Sequence, residues 1–283
     1  MIKKIITSTI CLLLLANSNF AFAEEAKKID KETYPKLSAT LEYGFLAVLD
    51  HKIQFSENNT YFDYRKDGGQ NNLFNVGKYS LDLDFNENNK FVFLYQPLSL
   101  VTQNNLPIDI KEDNIDFPKG TPMKFTYDFP FFRASYLYDF DKDKFDELAL
   151  GLSLQLRNAN IEFESLDGKK LVSRKNVGPV PIIKFRYKKK FHEKLWAGTD
   201  IDGFYAPKSY LNGSNNTVIG AILDANVSLG TNISEKYFPY LNLRYIGGGG
   251  VGKSNDKQVF GDSYSNNWLN FFTFTLGMNT QIF

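Results

Sequence analysis

The chain has 283 residues, of which 43% are hydrophobic, 16% are aromatic and 23% are charged, with 33 Lys and Arg against 32 Asp and Glu. This composition is too apolar and too aromatic for a disordered chain, and the near-neutral charge does not favour a nucleic-acid partner. The single cysteine excludes a disulfide scaffold and a cysteine-rich zinc protein. No apolar run reaches the ~18 residues that a membrane-spanning helix needs.

The first 23 residues have the pattern of a secretory signal peptide. Two lysines precede an apolar stretch from Ile5 to Ala16, and Ala21-Phe22-Ala23 matches a small-x-small cleavage site. The sequence therefore predicts an exported protein without cysteine, because Cys11 lies in the leader (1–23). The polar segment 24–36 predicts a flexible periplasmic lead-in, so that the folded domain spans 37–283.

Beyond residue 36, ten segments alternate apolar and polar side chains, with turn-rich stretches between them. Most exceed the usual ~5–6 residues of a soluble strand, and a tilted strand needs ~9–11 residues to cross a bilayer. Four connections are short and most of the others are long, as in outer-membrane barrels with short periplasmic turns and longer extracellular loops. The segments are Leu37–Gln54, Leu73–Phe85, Lys90–Thr102, Met123–Phe140, Phe145–Phe163, Asn176–Lys189, Leu195–Ala206, Thr217–Thr231, Tyr237–Gly247 and Trp268–Phe283.

The sequence thus predicts an all-β fold, a closed antiparallel transmembrane β-barrel of about ten strands. In the eighth segment Leu223 and Leu229 share one face, while Asp224 and Asn226 share the other. A sheet with open edges cannot persist in lipid, because unpaired backbone groups are costly there. The alternative is an exported β-sandwich with the apolar faces packed inward. The polar faces argue against it, since they have little of the Lys and Glu density of a solvated surface.

Twelve charged side chains fall on the polar faces of the predicted strands. Six are acidic and six are basic, and this balance favours ion pairs across the lumen over a charge-selective pore. Ten strands enclose far less space than the roughly 16–18 strands of open porins, which predicts a largely plugged interior or a narrow wet channel. The predicted charge network comprises Glu42, Lys78, Asp82, Asp84, Arg133, Arg157, Lys184, Arg186, Asp200, Asp202, Asp224 and Arg244.

Few residues are candidates for chemistry. The stretch GGGGVGKS at 247–254 formally matches a phosphate-binding loop, but no helix is predicted after it, and we interpret it as a flexible glycine loop. The aspartates at 139–143 lack the Gly and Glu of a calcium loop, so the sequence predicts no cofactor and no metal. His51 beside Asp50, near the outer end of the first segment, is the best placed catalytic base. Nothing in the sequence pairs a nucleophile with it.

Five stretches resemble a family of uncharacterised proteobacterial outer-membrane proteins. They cover about half of the mature chain, and the resemblance implies a small Gram-negative outer-membrane β-barrel and supplies no catalytic residues. The chain also ends in Phe283, as such barrels commonly do, although Phe283 falls outside the apolar register of its segment. The stretches are FVFLYQPLSL (91–100), FFRASYLYDF (131–140), GLSLQLRNANI (151–161), GPVPIIKF (178–185) and DIDGFYAPKS (200–209).

We therefore expect an integral protein of a bacterial outer membrane. Its expected partners are the membrane lipids and, during insertion, the barrel assembly machinery, with no nucleic acid and an oligomeric state that the sequence does not define. The first hypothesis is a non-enzymatic role, either structural or as a narrow conduit for small solutes, because the lumen is balanced in charge. The alternatives are a surface enzyme acting on lipid A, phospholipid or peptide, and an adhesin that binds through loops 55–72 and 103–122.

Overall fold

A computed structural model describes residues 33–141, 145–207, 217–253 and 262–283 of the chain. The leader and most of the lead-in predicted at 24–36 lie outside these residues. Within them no helix is long and apolar enough to cross a membrane. The strands are β1 (Lys36–Phe55), β2 (Phe62–Asp63), β3 (Leu73–Asp84), β4 (Asn89–Gln96), β5 (Ser99–Asn105), β6 (Ile110–Glu112), β7 (Ile115–Phe117), β8 (Pro122–Asp128), β9 (Phe131–Asp139), β10 (Glu147–Ser165), β11 (Leu171–Lys190), β12 (Leu195–Pro207), β13 (Ile219–Thr231), β14 (Tyr237–Lys253) and β15 (Tyr264–Gln281).

Ten of these strands form a closed antiparallel barrel, which confirms the predicted fold class. They follow one another around the barrel in the order β1, β3, β4 and then β9 to β15. The last strand closes the barrel on the first, with Ser38 opposite Gln281 and Phe55 opposite Ser265. Beyond that register the Leu37 amide donates to the Phe283 carbonyl oxygen at 3.0 Å, and the Ile282 amide donates to the Leu37 carbonyl oxygen at 2.8 Å.

The connections differ in length at the two ends of the barrel. Tight connections join β3 to β4, β9 to β10, β11 to β12 and β13 to β14, at the end where β1 starts and β15 finishes. We call this the inner end. The long connections, 56–72 between β1 and β3 and 106–121 between β5 and β8, lie at the opposite, outer end.

Two of the predicted strands are interrupted by proline, which is a correction to the sequence prediction. The segment predicted at 90–102 divides into β4 and β5 around Pro97, and the one predicted at 123–140 divides into β8 and β9 around Pro130. Proline has no amide hydrogen and cannot continue a hydrogen-bonded ladder. Beyond the prolines, β8 pairs with the outer part of β10 and β5 pairs with β8, so these strands form an extension above the barrel.

The glycine-rich stretch is a strand and not the flexible loop that we predicted. Gly247 to Lys253 belong to β14 and pair with β13 on one side and β15 on the other. A Cβ atom on Gly249 would lie 2.0 Å from the Asn267 carbonyl oxygen. The glycines therefore let the neighbouring strands approach more closely than larger residues would, which the sequence pattern alone did not reveal.

The outer surface of the barrel carries a continuous belt of exposed apolar side chains, here called the apolar belt. On β10 it runs from Leu148 to Leu156 at every second residue, and Leu152 keeps 68% of its surface exposed. Soluble proteins rarely leave so large a contiguous apolar surface in water. Other members are Leu41, Tyr43, Phe45, Leu81, Phe93, Phe132, Ile183, Leu223, Val227, Leu241, Leu243, Phe274 and Leu276.

Above the belt the pattern reverses. On β10 the outward positions become Asn158, Asn160 and Glu162, while Ile161 and Phe163 point inward and are buried. The strand continues without a break through this reversal. Along β10 the barrel therefore has a polar interior where its outside is apolar, and an apolar interior where its outside is polar.

Candidate functional site

The interior of the barrel has two levels that differ in chemistry. Towards the inner end it contains paired charged side chains, which we call the charged layer. Towards the outer end it contains apolar and aromatic side chains from the strands and from the two long connections, which we call the aromatic cap. The charged layer comprises Glu42, Lys78, Asp82, Asp84, Lys90, Arg133, Glu147, Lys184, Arg186, Asp200, Asp202, Asp224 and Arg244. The buried members of the aromatic cap include Leu46, Ile53, Phe62, Tyr64, Phe117, Phe125, Tyr127, Phe163 and Phe271.

The centre of the charged layer is a chain of two arginines and two aspartates. Arg244 makes a bidentate contact with Asp224, with Nε and Nη2 each 2.6 Å from a carboxylate oxygen. Arg133 Nη1 lies 2.9 Å from the same aspartate and 2.8 Å from Asp202. All four side chains are buried. Since β13 and β14 are neighbours whereas β9 lies across the barrel from both, these contacts cross the lumen.

Glutamine side chains complete the hydrogen bonds of the two arginines. Arg133 donates through Nη2 to Gln155 Oε1 at 2.7 Å, and Arg244 donates through Nη1 to Gln96 Oε1 at 2.7 Å. Both glutamines are buried. A guanidinium has five N–H donors, so carboxylates alone do not satisfy it in a buried site.

A second chain of ion pairs joins β11, β12 and β3. Lys184 Nζ lies 3.0 Å from Asp200 and 2.9 Å from Asp202. Arg186 contacts Asp200 through Nε at 2.8 Å and Asp82 through Nη1 at 2.7 Å. Because Asp202 also contacts the central chain, the two chains form one connected network.

Glu42 on β1 has the most hydrogen-bond partners of the carboxylates in this layer. Its Oε1 atom lies 2.5 Å from Lys78 Nζ and accepts from the Tyr240 hydroxyl at 2.7 Å. Its Oε2 atom accepts from Asn242 Nδ2 and from Thr275 Oγ1, both at 3.0 Å. These partners lie on β3, β14 and β15, so one buried carboxylate joins four strands.

The structure brings eleven of the twelve predicted lumen charges into ion pairs. Arg157 differs, because its Nη2 atom donates to Asn176 Oδ1 at 3.1 Å and no described carboxylate pairs with it. The sequence prediction missed Lys90 and Glu147, which lie 3.1 Å apart, with Lys90 also 3.5 Å from Asp84. Both follow the inward parity of their strands, so extending the parity to the strand ends could have found them.

The charged layer leaves almost no free volume. The cavity between its side chains measures about 40 Å³ and is lined by Lys78, Arg133, Lys184, Asp200 and Arg244 among others. A water molecule occupies about 30 Å³ of liquid volume, so this space holds one or two waters and no larger solute. Buried ion pairs often do no more than offset their desolvation cost. The network therefore fills and orders the lumen without adding much net stability.

His51 lies inside the aromatic cap. Its ring is fully buried, stacks on Tyr64 at 4.4 Å and meets Tyr127 edge to face at 4.2 Å. His51 Nδ1 is 2.7 Å from Gln70 Oε1. A β-bulge between Val48 and Asp50 shifts the register of β1 and turns His51 inward.

The structure does not join His51 and Asp50 into a catalytic pair. Asp50 has a 43% exposed side chain and forms an ion pair with Lys52 at 2.6 Å, whereas His51 is enclosed by aromatic rings. A general base must reach the substrate proton directly or through one water, and this ring is sealed from solvent. Among the residues that the structure describes, no group of three or more His, Cys, Asp or Glu side chains is placed to hold a metal ion.

A buried ion pair lies within the aromatic cap. Glu112 on β6 accepts from Arg174 Nη2 at 3.0 Å and from Asn59 Nδ2 at 3.1 Å, and its side chain is fully buried. Arg174 also donates to Asp113 at 2.7 Å. Burial raises the pKa of Glu112 to about 7, although its hydrogen bond with Arg174 opposes this shift. The pair ties the connection between β5 and β8 to β11.

The filled, ion-paired interior, the apolar belt and the tight inner turns define a closed ten-stranded barrel of the outer-membrane type. The structure of the outer membrane protease OmpT from Escherichia coli matches 89% of this chain and 99% of that chain, with a TM-score of 0.52 and 12% sequence identity. At that identity the likeness shows the shared fold and nothing about activity.

Two further solved structures match this chain with lower TM-scores. Ail, the attachment invasion locus protein of Yersinia pestis, matches 87% of this chain and 99% of that chain, with a TM-score of 0.38 and 8% identity. Neisserial surface protein A matches 86% of this chain and 96% of that chain, with a TM-score of 0.32 and 11% identity. No family model and no curated protein matches the sequence. The resemblance to one proteobacterial family therefore stays a prediction.

Proposed function

We propose that this chain is an integral protein of a bacterial outer membrane, in which it forms a sealed, non-enzymatic barrel that supports the aromatic cap. The observation that carries the proposal is the apolar belt around a filled, ion-paired interior. Exposing apolar surface to water costs about 25 cal/mol per Å², and a bilayer removes that cost. The polar outward residues above the belt would then lie in water.

The geometry favours a sealed barrel over the narrow conduit that the balanced charge left open. The lumen is filled twice, once by the charged layer and once by the aromatic cap above it. A hydrated ion needs a continuous path, and between the described side chains of the charged layer the cavity measures only about 40 Å³.

Planar-bilayer recording tests the seal. The wild-type protein should give no conductance steps, and the double variant Asp224→Ala/Arg244→Ala should give small ones, because it removes a bidentate pair from the centre of the charged layer without leaving a charge unpaired. Steady conductance by the wild-type protein at low voltage would contradict the seal and restore the conduit hypothesis.

Location is tested separately by membrane fractionation and by comparing the gel migration of unboiled and boiled protein extracted in detergent. We expect outer-membrane fractionation and a faster-migrating folded form. For the assembly machinery as a partner, Phe283→Ala should slow insertion, because the exposed terminal ring is the chain's candidate recognition signal. Insertion of Phe283→Ala at the wild-type rate would remove that role from the residue.

Recognition by the outer surface is a second candidate, and one observation favours it. The connections 56–72 and 106–121 are packed into a shared core through Phe62, Tyr64 and Phe117, so that they present a fixed surface. Replacing exposed Tyr61, whose removal leaves this core intact, should weaken any adhesion to host cells or matrix. Two results would argue against this candidate. One is that the wild-type protein shows no adhesion. The other is that adhesion is unchanged in Tyr61→Ala and in other variants of exposed cap residues.

A further inference from the structure

Between the described strands, the barrel wall has an opening near its outer end. The pairing of β3 with β4 ends at Tyr79 and Tyr95, just before Pro97. Residues 73–78 of β3 therefore pair with β1 alone. On the other side of the gap β5 pairs with β8 alone. Two strand edges thus face a notch in the wall that no described strand fills.

The backbone groups that face the notch from β5 can be identified from the hydrogen-bond alternation. The Phe129 amide donates to the Leu98 carbonyl oxygen at 2.7 Å, and the Leu106 amide donates to the Thr121 carbonyl oxygen at 3.0 Å. Even-numbered residues of β5 therefore bond to β8, because antiparallel partners alternate. The amides and carbonyls of Ser99, Val101 and Gln103 point the other way, into the notch.

Side chains hold this free edge in place. Thr102 Oγ1 donates to the Gly68 carbonyl oxygen at 2.5 Å, and Asn104 Nδ2 donates to the Asp67 carbonyl oxygen at 3.1 Å. Both bonds lie on the inward side of β5 and fix it to the connection between β1 and β3. The edge is therefore ordered before any partner arrives, which lowers the entropy cost of binding.

The edge has few of the usual protections against strand pairing. Proteins guard exposed edges with charged side chains, prolines or bulges, or cover them with a loop. Here the connection between β1 and β3 lies against the inward side of β5 and approaches Gln103 through Gly69. The sequence of β5, SLVTQNN, contains no charge and no proline, and the outward side chains of Ser99, Val101 and Gln103 are exposed. The neighbouring outward residues of β8 and β10 are polar, so the β5 side of the notch is within reach of water, whereas on the other side Asn75 of β3 pairs with Phe45 of the apolar belt.

We propose that the free edge of β5 binds an extended, uncharged polypeptide segment of another protein, which adds to it as an antiparallel strand. Main-chain hydrogen bonds would give the affinity, and exposed Val101 would contact alternate side chains of the segment. An acyl chain has no donors or acceptors for these backbone groups. A second copy in the same membrane would have the same orientation. A twofold axis along the membrane normal would place its β5 parallel to the first β5. Amides would then face amides and carbonyls would face carbonyls at equal heights, so the two edges would not form hydrogen bonds.

A short capped peptide of alternating threonine and valine is the probe, used with the full mature chain in detergent micelles. Three forms have identical side chains: unmethylated, N-methylated at alternate amides and N-methylated at every amide. The first two keep at least one bonding edge and should bind saturably, whereas the third has none and should not bind. Binding should slow hydrogen exchange at the Val101 and Gln103 amides. No saturable binding of the unmethylated peptide, or equal binding of all three forms, overturns the proposal.

A matched pair of variants tests the site. Val101→Pro removes one amide donor from the free edge, and Val101→Ala keeps it. Loss of one hydrogen bond predicts about tenfold weaker binding for the proline variant and little change for alanine. Unchanged exchange at the Leu100 and Thr102 amides, which bond to β8, shows that β5 is intact. Equal affinities of the two variants would overturn the assignment to β5. If Val101→Pro does not fold, the peptide series on the wild-type protein decides.

Discussion

The charged layer and the aromatic cap are built on the same strands but have opposite chemistry. Around the charged layer, β10 turns Leu152 outward and Gln155 inward, whereas around the cap it turns Glu162 outward and Phe163 inward. The backbone geometry and the period of two do not change along the strand. What changes is the chemistry of the outward side chains, which suit an apolar medium below and water above.

This difference shows how one barrel serves two environments. Below, an apolar outside leaves only the interior for polar groups, and burial there requires that nearly every charge has a partner. Above, the same strands behave as those of a soluble protein, with an apolar core and a polar surface.

The largest effect is expected for Arg133→Ala in the charged layer. It removes the partner that joins Asp202 and Asp224, so the free energy of unfolding should fall by about 3–5 kcal/mol. Urea titration, followed by the gel shift between folded and unfolded protein, measures this change. Arg157→Ala is the matched control, because Arg157 donates to an amide, and should cost about 1 kcal/mol. Equal losses would mean that ion pairing does not distinguish the two arginines.

On the outer surface, as in the interior, the cost of a substitution in stability should depend strongly on its position. Leu223→Arg in the apolar belt should cost about 2–4 kcal/mol in a bilayer if the site lies near the midplane. Asn158→Arg, on the exposed polar surface just above the belt, should change the stability by less than about 0.5 kcal/mol. Unfolding titrations in lipid vesicles compare the two. A neutral Leu223→Arg would show that this position does not face lipid.

The cap should weaken as the pH rises. Burial raises the pKa of Glu112 from 4.5 to about 7, so the protonated form is favoured in the folded cap. The stability is fully present below pH 4.5 and is lost as the pH rises through about 7, with a decrease of about 1–3 kcal/mol. Arg174, Asp113 and Asn59 are the charged and polar groups that contact this carboxyl.

Hydrogen exchange of the Ile110 and Phe117 amides, corrected for intrinsic rates, reports the opening of the cap. Protection should fall with rising pH in the wild-type protein and should not vary in Glu112→Gln, which cannot ionise. A pH dependence that persists unchanged in Glu112→Gln would assign the effect to another group.

The smallest effect is expected for Phe62→Leu. Phe62 is fully buried, and the centroid of its ring lies 5.1 Å from that of Phe125 and 5.2 Å from that of Phe163. The conservative change should cost about 1 kcal/mol. It should speed exchange in the cap without affecting the amides of the charged layer, and Tyr61→Leu, at an exposed position, is the control. Equal acceleration in both levels would mean that they open together.

Strand periodicity predicted much of the barrel because alternation is a local property. It gave ten strands, the closed fold and the facing of residues such as Leu223 and Asp224. Periodicity could not identify which charged side chains pair with each other, since the contact between Arg133 and Asp202 depends on which strands lie across the lumen. It also missed the bulge at Leu49, which reverses the facing of His51, because one extra residue leaves the alternation on either side intact.

Other features depended on tertiary structure. Pro97 and Pro130 stand inside alternating segments, and the sequence does not show that the strands leave the barrel there. The glycines of β14 look like a loop until the approach of Asn267 is known. The aromatic cap was missed in part because Phe62, Tyr64 and Phe117 come from the long connections, where no regular alternation marks them.

The reversal of the outward face along β10 is the central claim, and spin labelling tests it most directly. The predicted mature chain has no cysteine, so single cysteines can carry a label at Leu152, Leu156, Asn158 and Glu162 in lipid vesicles. Labels at the two leucines should be relaxed mainly by oxygen, which dissolves in the bilayer, and labels at the other two by a water-soluble nickel chelate. Relaxation by the chelate at all four positions, or by oxygen at all four, would contradict the reversal.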